Sequence, residues 1–393
     1  MSSQLSPLFR PGIVALFGSG ETSASGQKIF DAIMRHLPQS PRVALIETPA
    51  GFELNSDRVI GRVGEFLKLH LQNYQPEVIT IPARARGSEF SPDNPQVVDP
   101  MFAADMLFMG PGSPSYAVRQ LQGSLLWDVL LACHRAGASI VLSSAAVIAV
   151  GAYALPVYEI YKVGEDLHWM PGLDLFGQYG LSLVFIPHWN NNEGGKELDT
   201  SRCFMGRTRF ARLVELLPSD LAIIGIDENT GLLIDPQTND CQVIGSGGVT
   251  LIHTGQARRD ALSQEELDRE GLTQVADLRR GHVHRFQRDD CFSLARSNAF
   301  HPPTEGTGLP ADIWQKLISM RKAVTNKPEP SSEVLSLLEE RLAARRRKDW
   351  PAADAIRTRL LELGWRVKDT ADGSQLEPIL DTSPSIERND ETG

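Results

Sequence analysis

A serine becomes a nucleophile when its hydroxyl stands at a tight turn, a base lies within hydrogen-bond reach, and N–H donors face the oxyanion that develops. The stretch ASIVLSSAAVIAVGA sets Ser143 and Ser144 where an apolar, strand-like run gives way to small residues suited to a helix. Ser144 is the better placed of the two, because Ala145 and Ala146 follow it and leave room for close backbone approach. His188 closes the apolar run LSLVFIPH and is the base this serine needs. Glu159 lies between them in sequence and is the expected acid, with Glu165, Asp166 and Asp227 as rivals. Oxyanion donors are expected from the N–H of Ala145 and from the Gly110-Pro111-Gly112 loop, where Gly112 is the donor because proline has no N–H. The chemistry implied is acyl transfer through a covalent serine intermediate. A serine before a small-residue helix can equally be a plain helix cap, so its backbone geometry decides between the two.

The elements that must carry these groups are short apolar runs: IVALFGSG, RVALIETPA, EVITIPARA, MLFMGPG and ASIVLSS. Helix-period stretches such as SGQKIFDAIMRHL and DRVIGRVGEFLKLHLQ separate them. Strands alternating with amphipathic helices specify βαβ units, so the expected class is α/β, a three-layer α/β/α arrangement around a mostly parallel sheet. Ligands of such sheets bind beyond the carboxyl ends of the strands. Gly18-Ser19-Gly20, Gly110-Pro111-Gly112 and Ser143-Ser144 all end candidate strands and are expected to converge there. Further on, LAIIGIDENTGLLIDPQTNDCQVIGSGGVTLIH reads as consecutive short strands with turns at DENTG and PQTND. GSGGVT is read as a hairpin turn, since no lysine follows to make it a phosphate loop.

At 393 residues the chain exceeds the size at which single cores stop growing, which predicts more than one folded unit. The net charge of -10, from 39 Lys and Arg against 49 Asp and Glu, argues against broad binding to nucleic acid or anionic membranes. The four cysteines are widely spaced without CxxC pairs, and His282 and His284 of the HVH triplet have no third ligand in view. No metal and no organic cofactor are expected. Ser143, Ser144 and Pro156 interrupt the most apolar stretch, so the expectation is a cytoplasmic protein without a membrane partner.

The segments ALFGSGE, MLFMGPGSPSYAVRQL, IVLSSAAVIAVGA, LVFIPHW, GRTRFARLVELL and IGIDENTGLLI resemble, in order and spacing, the serine peptidase family that includes cyanophycinase and the aspartyl dipeptidase (dipeptidase E). The resemblance covers roughly residues 11–296 and implies a class I glutamine amidotransferase-like, flavodoxin-like fold. It implies Ser144 as nucleophile, His188 as base and Glu159 as acid, acting on a small peptide or other amide substrate. Ser113 in the oxyanion loop, and Arg84 and Arg86, with Arg207 and Arg209, are the candidate substrate contacts it suggests. The sequence departs from the family at the elbow, where Leu142 and Ala146 replace the usual glycines, and in the Gly110-Pro111-Gly112-Ser113-Pro114 loop. The alternative those departures leave is a catalytically inactive binding protein of the same fold.

After residue 296 the composition shifts to Pro-, Gly- and Ser-rich stretches around a short helix, and residues 297–330 read as a linker. Residues 331–381 read as a helical hairpin with a short terminal strand, and 382–393 as a disordered tail. Within that hairpin, LLEERLAARRRKDWPAADAIRTRLLELGWRVKDTADGSQ resembles the small C-terminal domain of cysteinyl-tRNA synthetase. The resemblance implies contact with tRNA, through Arg345, Arg346, Arg347 and Lys348 beside Arg341, or association with a protein partner. Neither a HIGH-type nor a KMSKS-type motif is present, which excludes aminoacylation on this reading.

Overall fold

The structure is a computed structural model that describes residues 10–218, 221–253, 282–294, 303, 306–325, 330–370 and 373–378. The chain divides into two compact units, Met1–Ile318 and Ser319–Gly393. The expected tail 382–393 and much of the expected linker lie outside the described residues, as does the side chain of His282.

Five parallel strands form the centre of the larger unit: β1 (Val14–Phe17), β2 (Arg42–Ile46), β3 (Glu77–Ile81), β4 (Met106–Met109) and β5 (Ser139–Ser143). Their alternation builds the layers. Val14, Leu16, Ala44, Ile46, Leu107, Met109, Ile140 and Leu142 face one apolar core, while Ala15, Phe17, Val43, Leu45, Met106, Phe108 and Val141 face the other. Successive side chains of a strand point to opposite faces, so strands this apolar need helices on both sides. The second face is covered by the helix Ala24–Met34 through Ile29, Phe30 and Ile33, and by Ser56–His70 through Ile60, Val63 and Leu67. This is the expected α/β class with a large, parallel-rich sheet and helical layers.

The region after His188 is arranged differently from its sequence reading. The short strands β6 (Tyr153–Ala154) and β7 (Met170–Pro171) pair with each other ahead of β8 (Leu183–Ile186) and β9 (Ala222–Ile226). Beyond these come β10 (Thr230–Asp235), β11 (Asp240–Gly245), β12 (Val249–His253), β13 (His282–Phe286) and β14 (Cys291–Ser293). Two sheets share these strands. β10, β11 and β14 extend the edge of the central sheet by successive antiparallel pairings, β10 on β1, β11 on β10 and β14 on β11, while β8, β9, β12 and β13 form a second, four-stranded sheet. PQTND is a true hairpin turn joining β10 to β11. DENTG and GSGGVT instead carry the chain from one sheet to the other, because β9 pairs with β8 and β12 while β10 pairs with β1 and β11. Turn chemistry states where a chain bends and not which sheet it then joins.

The smaller unit contains the helices Ser332–Arg346 and Trp350–Glu362 and the hairpin of β15 (Trp365–Thr370) and β16 (Gly373–Pro378). Val334, Leu360, Trp365 and Val367 form its core. Asp349 caps the second helix by accepting from the N–H of Ala352 at 3.2 Å, and Pro351 sits in that first turn where its missing N–H costs nothing. The two helices follow one another across a short turn, and the strand after them has a partner strand that sequence reading did not foresee. No helix among the described residues is long and apolar enough to cross a membrane.

Candidate active site

The carboxyl end of β1 organises the site. The Phe17 carbonyl accepts from the N–H of Ser144 at 3.4 Å, and the Gly18 carbonyl accepts from the N–H of His188 at 3.1 Å. One strand end therefore fixes the backbones of two residues that are 44 positions apart in sequence. Gly18 is required there by contact, since a Cβ on it would lie 2.0 Å from the Asp227 carbonyl oxygen.

Ser144 follows β5 with φ 51 and ψ -111, and its side chain makes no capping hydrogen bond to the helix Ala145–Ala149. A non-glycine residue in this region stores on the order of 1–3 kcal/mol of strain, which persists only where surrounding contacts enforce it. The effect is to turn the hydroxyl away from the helix end and toward His188. Ser144 Oγ lies 2.9 Å from His188 Nε2, and His188 Nδ1 lies 3.0 Å from Glu228 Oε1. The carboxylate only accepts, so Nδ1 carries the proton and Nε2 of the neutral ring accepts from the serine hydroxyl. Asn191 Nδ2 donates to the same Glu228 oxygen at 2.9 Å. Hydrogen bonds from His188 and then Asn191 hold the Glu228 carboxyl below its usual range, against the opposing effect of partial burial. The backbone around Glu228 is tied down as well, with its N–H on Asn190 Oδ1 at 2.8 Å and the N–H of Asn229 on Ser19 Oγ at 3.2 Å.

The acid expected from sequence is thereby corrected. Glu159 accepts a hydrogen bond from Ser115 and stands 3.8 Å from Arg119, and the carboxylate at His188 is Glu228. Asp227, one of the rivals, faces the other way and forms a buried pair with Arg285. Adjacent residues leaving a strand face opposite sides, and here one side holds the ion pair and the other the histidine. The signal that could have found Glu228 is its position just beyond the carboxyl end of β9, the strand that pairs in parallel with the one preceding His188. Ser143, the second serine of the pair, donates to Glu21 Oε2 at 2.7 Å and is fully buried.

Gly112 and Ala145 line the same cavity as Ser144 and His188, which has a volume of about 450 Å³. The Gly112 backbone has φ 147, and a Cβ there would meet the Pro49 carbonyl oxygen at 2.0 Å. The neighbouring N–H of Ser113 donates to that carbonyl at 2.9 Å. Ser113 itself does not line this cavity: its hydroxyl caps the helix Pro114–Leu121 through Tyr116 N and meets Ser115 Oγ at 3.0 Å. Arg84 is committed to the buried Glu47 at 2.7 Å, and Arg86 to Asp93 at 3.2 Å and the Gln122 carbonyl at 2.7 Å. Neither arginine lines the cavity. Of the side chains that do, Tyr158, Tyr161, Lys162, Glu193, Cys203 and Phe204 were not singled out from sequence. Burial pushes the Cys203 thiol up to about 12 and so keeps it protonated. Among the described residues no cluster of His, Cys, Asp and Glu is arranged to hold a metal.

In the smaller unit Arg345, Arg346, Arg347 and Lys348 fall at the end of the first helix and the turn after it. Arg346, Arg347 and Lys348 are exposed. The Arg345 guanidinium lies 5.8 Å from the centroid of Trp350, which is itself exposed.

The fold and this geometry define an α/β protein with a serine, a histidine and a carboxylate in hydrogen-bonded series at the strand ends. The chain is similar in fold to the crystal structure of a peptidase from an acI-B1 Actinobacterium, with a TM-score of 0.53 and 19% identity over 73% of this chain and 98% of that one. A putative peptidase E protein from Listeria monocytogenes aligns with a TM-score of 0.39 and 14% identity over 57% of this chain and 94% of that one. Residues 327–376 match the family described as the cysteinyl-tRNA ligase anticodon binding domain. Over that region the chain is 48% identical across 48 residues to the cysteine–tRNA ligase of Rubrobacter xylanophilus, and 44% identical across 52 residues to that of Opitutus terrae. These matches span 10% and 11% of the length of the two ligases.

Proposed function

We propose that the larger unit is a serine hydrolase of the cyanophycinase and aspartyl dipeptidase type, cleaving a peptide or related amide bond through an acyl-enzyme. The observation that carries this reading is the strained backbone of Ser144, which aims its hydroxyl at His188 Nε2 across 2.9 Å. In the reaction, Ser144 Oγ attacks the scissile carbonyl carbon while its proton passes to His188 Nε2. Glu228 holds the ring in the required tautomer and faces the imidazolium that forms. The N–H groups of Gly112 and Ala145 stabilise the oxyanion. Collapse of the tetrahedral intermediate expels the amine, which takes the proton from His188. Water then enters by the same route in reverse and releases the acid.

The alternative of an inactive binding protein rests on the altered elbow and on the altered Gly110-Pro111-Gly112-Ser113-Pro114 loop, and the elbow is the departure that backbone geometry bears on. Leu142 and Ala146 both fold into the apolar core, and the turn at Ser144 is kept, so the substitutions do not speak for loss of chemistry. For the smaller unit we propose contact with tRNA through Arg345, Arg346, Arg347 and Lys348, supported by the anticodon binding domain match and by the exposed Trp350 beside them. The test of the hydrolase is labelling of the full-length protein with a fluorophosphonate, wild type against Ser144→Ala and His188→Ala. Labelling of wild type that both substitutions abolish supports it, and a folded wild type that resists the probe overturns it.

A further inference from the structure

His188 reaches Ser144 and Glu228 from a backbone conformation that residues other than glycine seldom adopt. Its φ is 50, and the turn that backs it passes through three further left-handed residues, Arg202, Cys203 and Phe204, with φ 59, 56 and 67. Such conformations persist only where surrounding contacts enforce them. Here every backbone polar group of His188 and Trp189 is engaged. The two N–H groups donate to the Gly18 carbonyl at 3.1 Å and the Ile226 carbonyl at 3.0 Å. The His188 carbonyl accepts from the N–H of Asn191 at 3.1 Å and of Cys203 at 3.2 Å, and the Trp189 carbonyl accepts from the N–H of Arg202 at 2.9 Å. The Phe204 ring, at the end of the same turn, lies 6.1 Å from the His188 ring.

Arg202 closes this network with its side chain as well. Its Nη1 donates to the same Trp189 carbonyl at 2.9 Å, and its guanidinium lies 3.9 Å from the centroid of the Trp189 ring. A planar guanidinium can stack on an indole and donate from its edge at once, which the compact ammonium of lysine cannot. The Trp189 ring in turn lies on β9, where a Cβ at Gly225 would come within 2.3 Å of it, and it meets Phe210 edge-on at 5.2 Å. β9 is the strand that leads into Glu228. Arg202 is 3% exposed and does not line the cavity, so whatever it contributes to the chemistry passes through His188.

We propose that Arg202 is a positioning residue for His188. Stacked on Trp189 and bonded to its carbonyl, it locks the left-handed turn at His188 against β9, so that Nε2 stays on Ser144 while Nδ1 stays on Glu228. Without the guanidinium the Trp189 ring loses its stacked partner and the Trp189 carbonyl one of its two donors. The turn then relaxes toward less strained backbone and swings the imidazole away from the serine. The inference rests on the hydrolase reading above. A residue that merely fastened the loop between Asn191 and Ser201 would leave the imidazole where it is, and this difference is measurable.

The experiment compares full-length wild type, Arg202→Lys and Arg202→Met by two measurements. Saturation kinetics of fluorophosphonate labelling separate the bond-forming rate, kinact, from the binding constant, KI. Proton NMR follows the His188 Nδ1–H, which its hydrogen bond to Glu228 moves downfield and which His188→Ala identifies by its loss. Both Arg202 variants should lower kinact about tenfold with KI unchanged, and the Nδ1–H resonance should shift or vanish. Lysine keeps the charge and the stem, so Arg202→Lys separates geometry from charge and decides the matter if Arg202→Met does not fold. In folded Arg202→Lys, a kinact within about twofold of wild type, a loss confined to KI, or an unmoved resonance overturns the proposal while leaving the hydrolase intact. A folded wild type that does not label removes the hydrolase reading, and the part of Arg202 in catalysis with it.

Discussion

Replacing Glu228 by glutamine tests the assignment of the acid. Glu228 Oε1 accepts from His188 Nδ1 at 3.0 Å and from Asn191 at 2.9 Å, so the glutamine oxygen can occupy the same point and the substitution removes charge with little change of shape. Opposite unit charges 3.0 Å apart, as the imidazolium and this carboxylate would be, attract by about 5 kcal/mol at an effective dielectric of about 20. The Glu228 side chain is 29% exposed, and water there screens the attraction to about half that. At about 1.4 kcal/mol per factor of ten, the rate of serine acylation should fall by roughly a hundredfold.

Glu159→Gln provides the contrast. Glu159 pairs with Arg119 across 3.8 Å, and an ion pair at the surface contributes at most about 1 kcal/mol to stability. Its effect on acylation should stay within about threefold, since neither partner reaches the serine or the histidine. The assay is the second-order rate of fluorophosphonate labelling for wild type and both variants, with thermal unfolding measured alongside to establish that each is folded. A slow Glu159→Gln beside a fast Glu228→Gln would refute the reasoning and return the acid to the position read from sequence.

Gly112→Ala should slow labelling by about a hundredfold, because the added Cβ would collide with the Pro49 carbonyl oxygen at 2.0 Å and displace the oxyanion loop; unchanged labelling would remove that loop from the mechanism. His134 is fully buried between the Ala138 carbonyl at 3.2 Å and Tyr179 Oη at 2.7 Å, and burial lowers its pKa from 6.5 to about 4. Above pH 6.5 it is neutral folded or unfolded; as pH falls toward 4 only the unfolded chain takes up the proton, so stability should drop by about 2 kcal/mol between pH 7 and pH 5. Urea titrations at the two values measure this, and His134→Gln should remove most of the difference. Arg346→Ala with Arg347→Ala should weaken tRNA binding and reduce the slope of log affinity against log salt by about 1.5, readable by filter binding at several salt concentrations. Cys203 should resist iodoacetamide at pH 8 in the folded protein and react on unfolding, because burial pushes its thiol up to about 12.

Much of this architecture is written in local pattern. β1, β2, β4 and β5 are apolar on both faces because both are covered, and that density of Val, Ile, Leu and Phe cannot be accommodated at a surface. The Ser144 and His188 positions are legible for a related reason: each closes such an apolar run, Ser144 after β5 of the central sheet and His188 after β8 of the second, and the carboxyl end of β1 holds both backbones. The acid was not legible, because it depends on which sheet receives β10. Reading DENTG as an ordinary turn keeps β9 and β10 side by side and leaves Glu228 as a loop residue. Once β9 pairs with β8, the same glutamate is carried next to His188, 40 residues away in sequence. The arginines expected as substrate contacts do not line the cavity, for a different reason. Arginine was sought because carboxylates favour it, yet arginines also satisfy buried acids and free carbonyls, and Arg84 and Arg209 are spent on those tasks. Lys162 lines the cavity from the π turn Glu159–Val163. No hydrophobic period announces such a turn, so this stretch of the cavity wall is the part of the site that a sequence pattern conveys least.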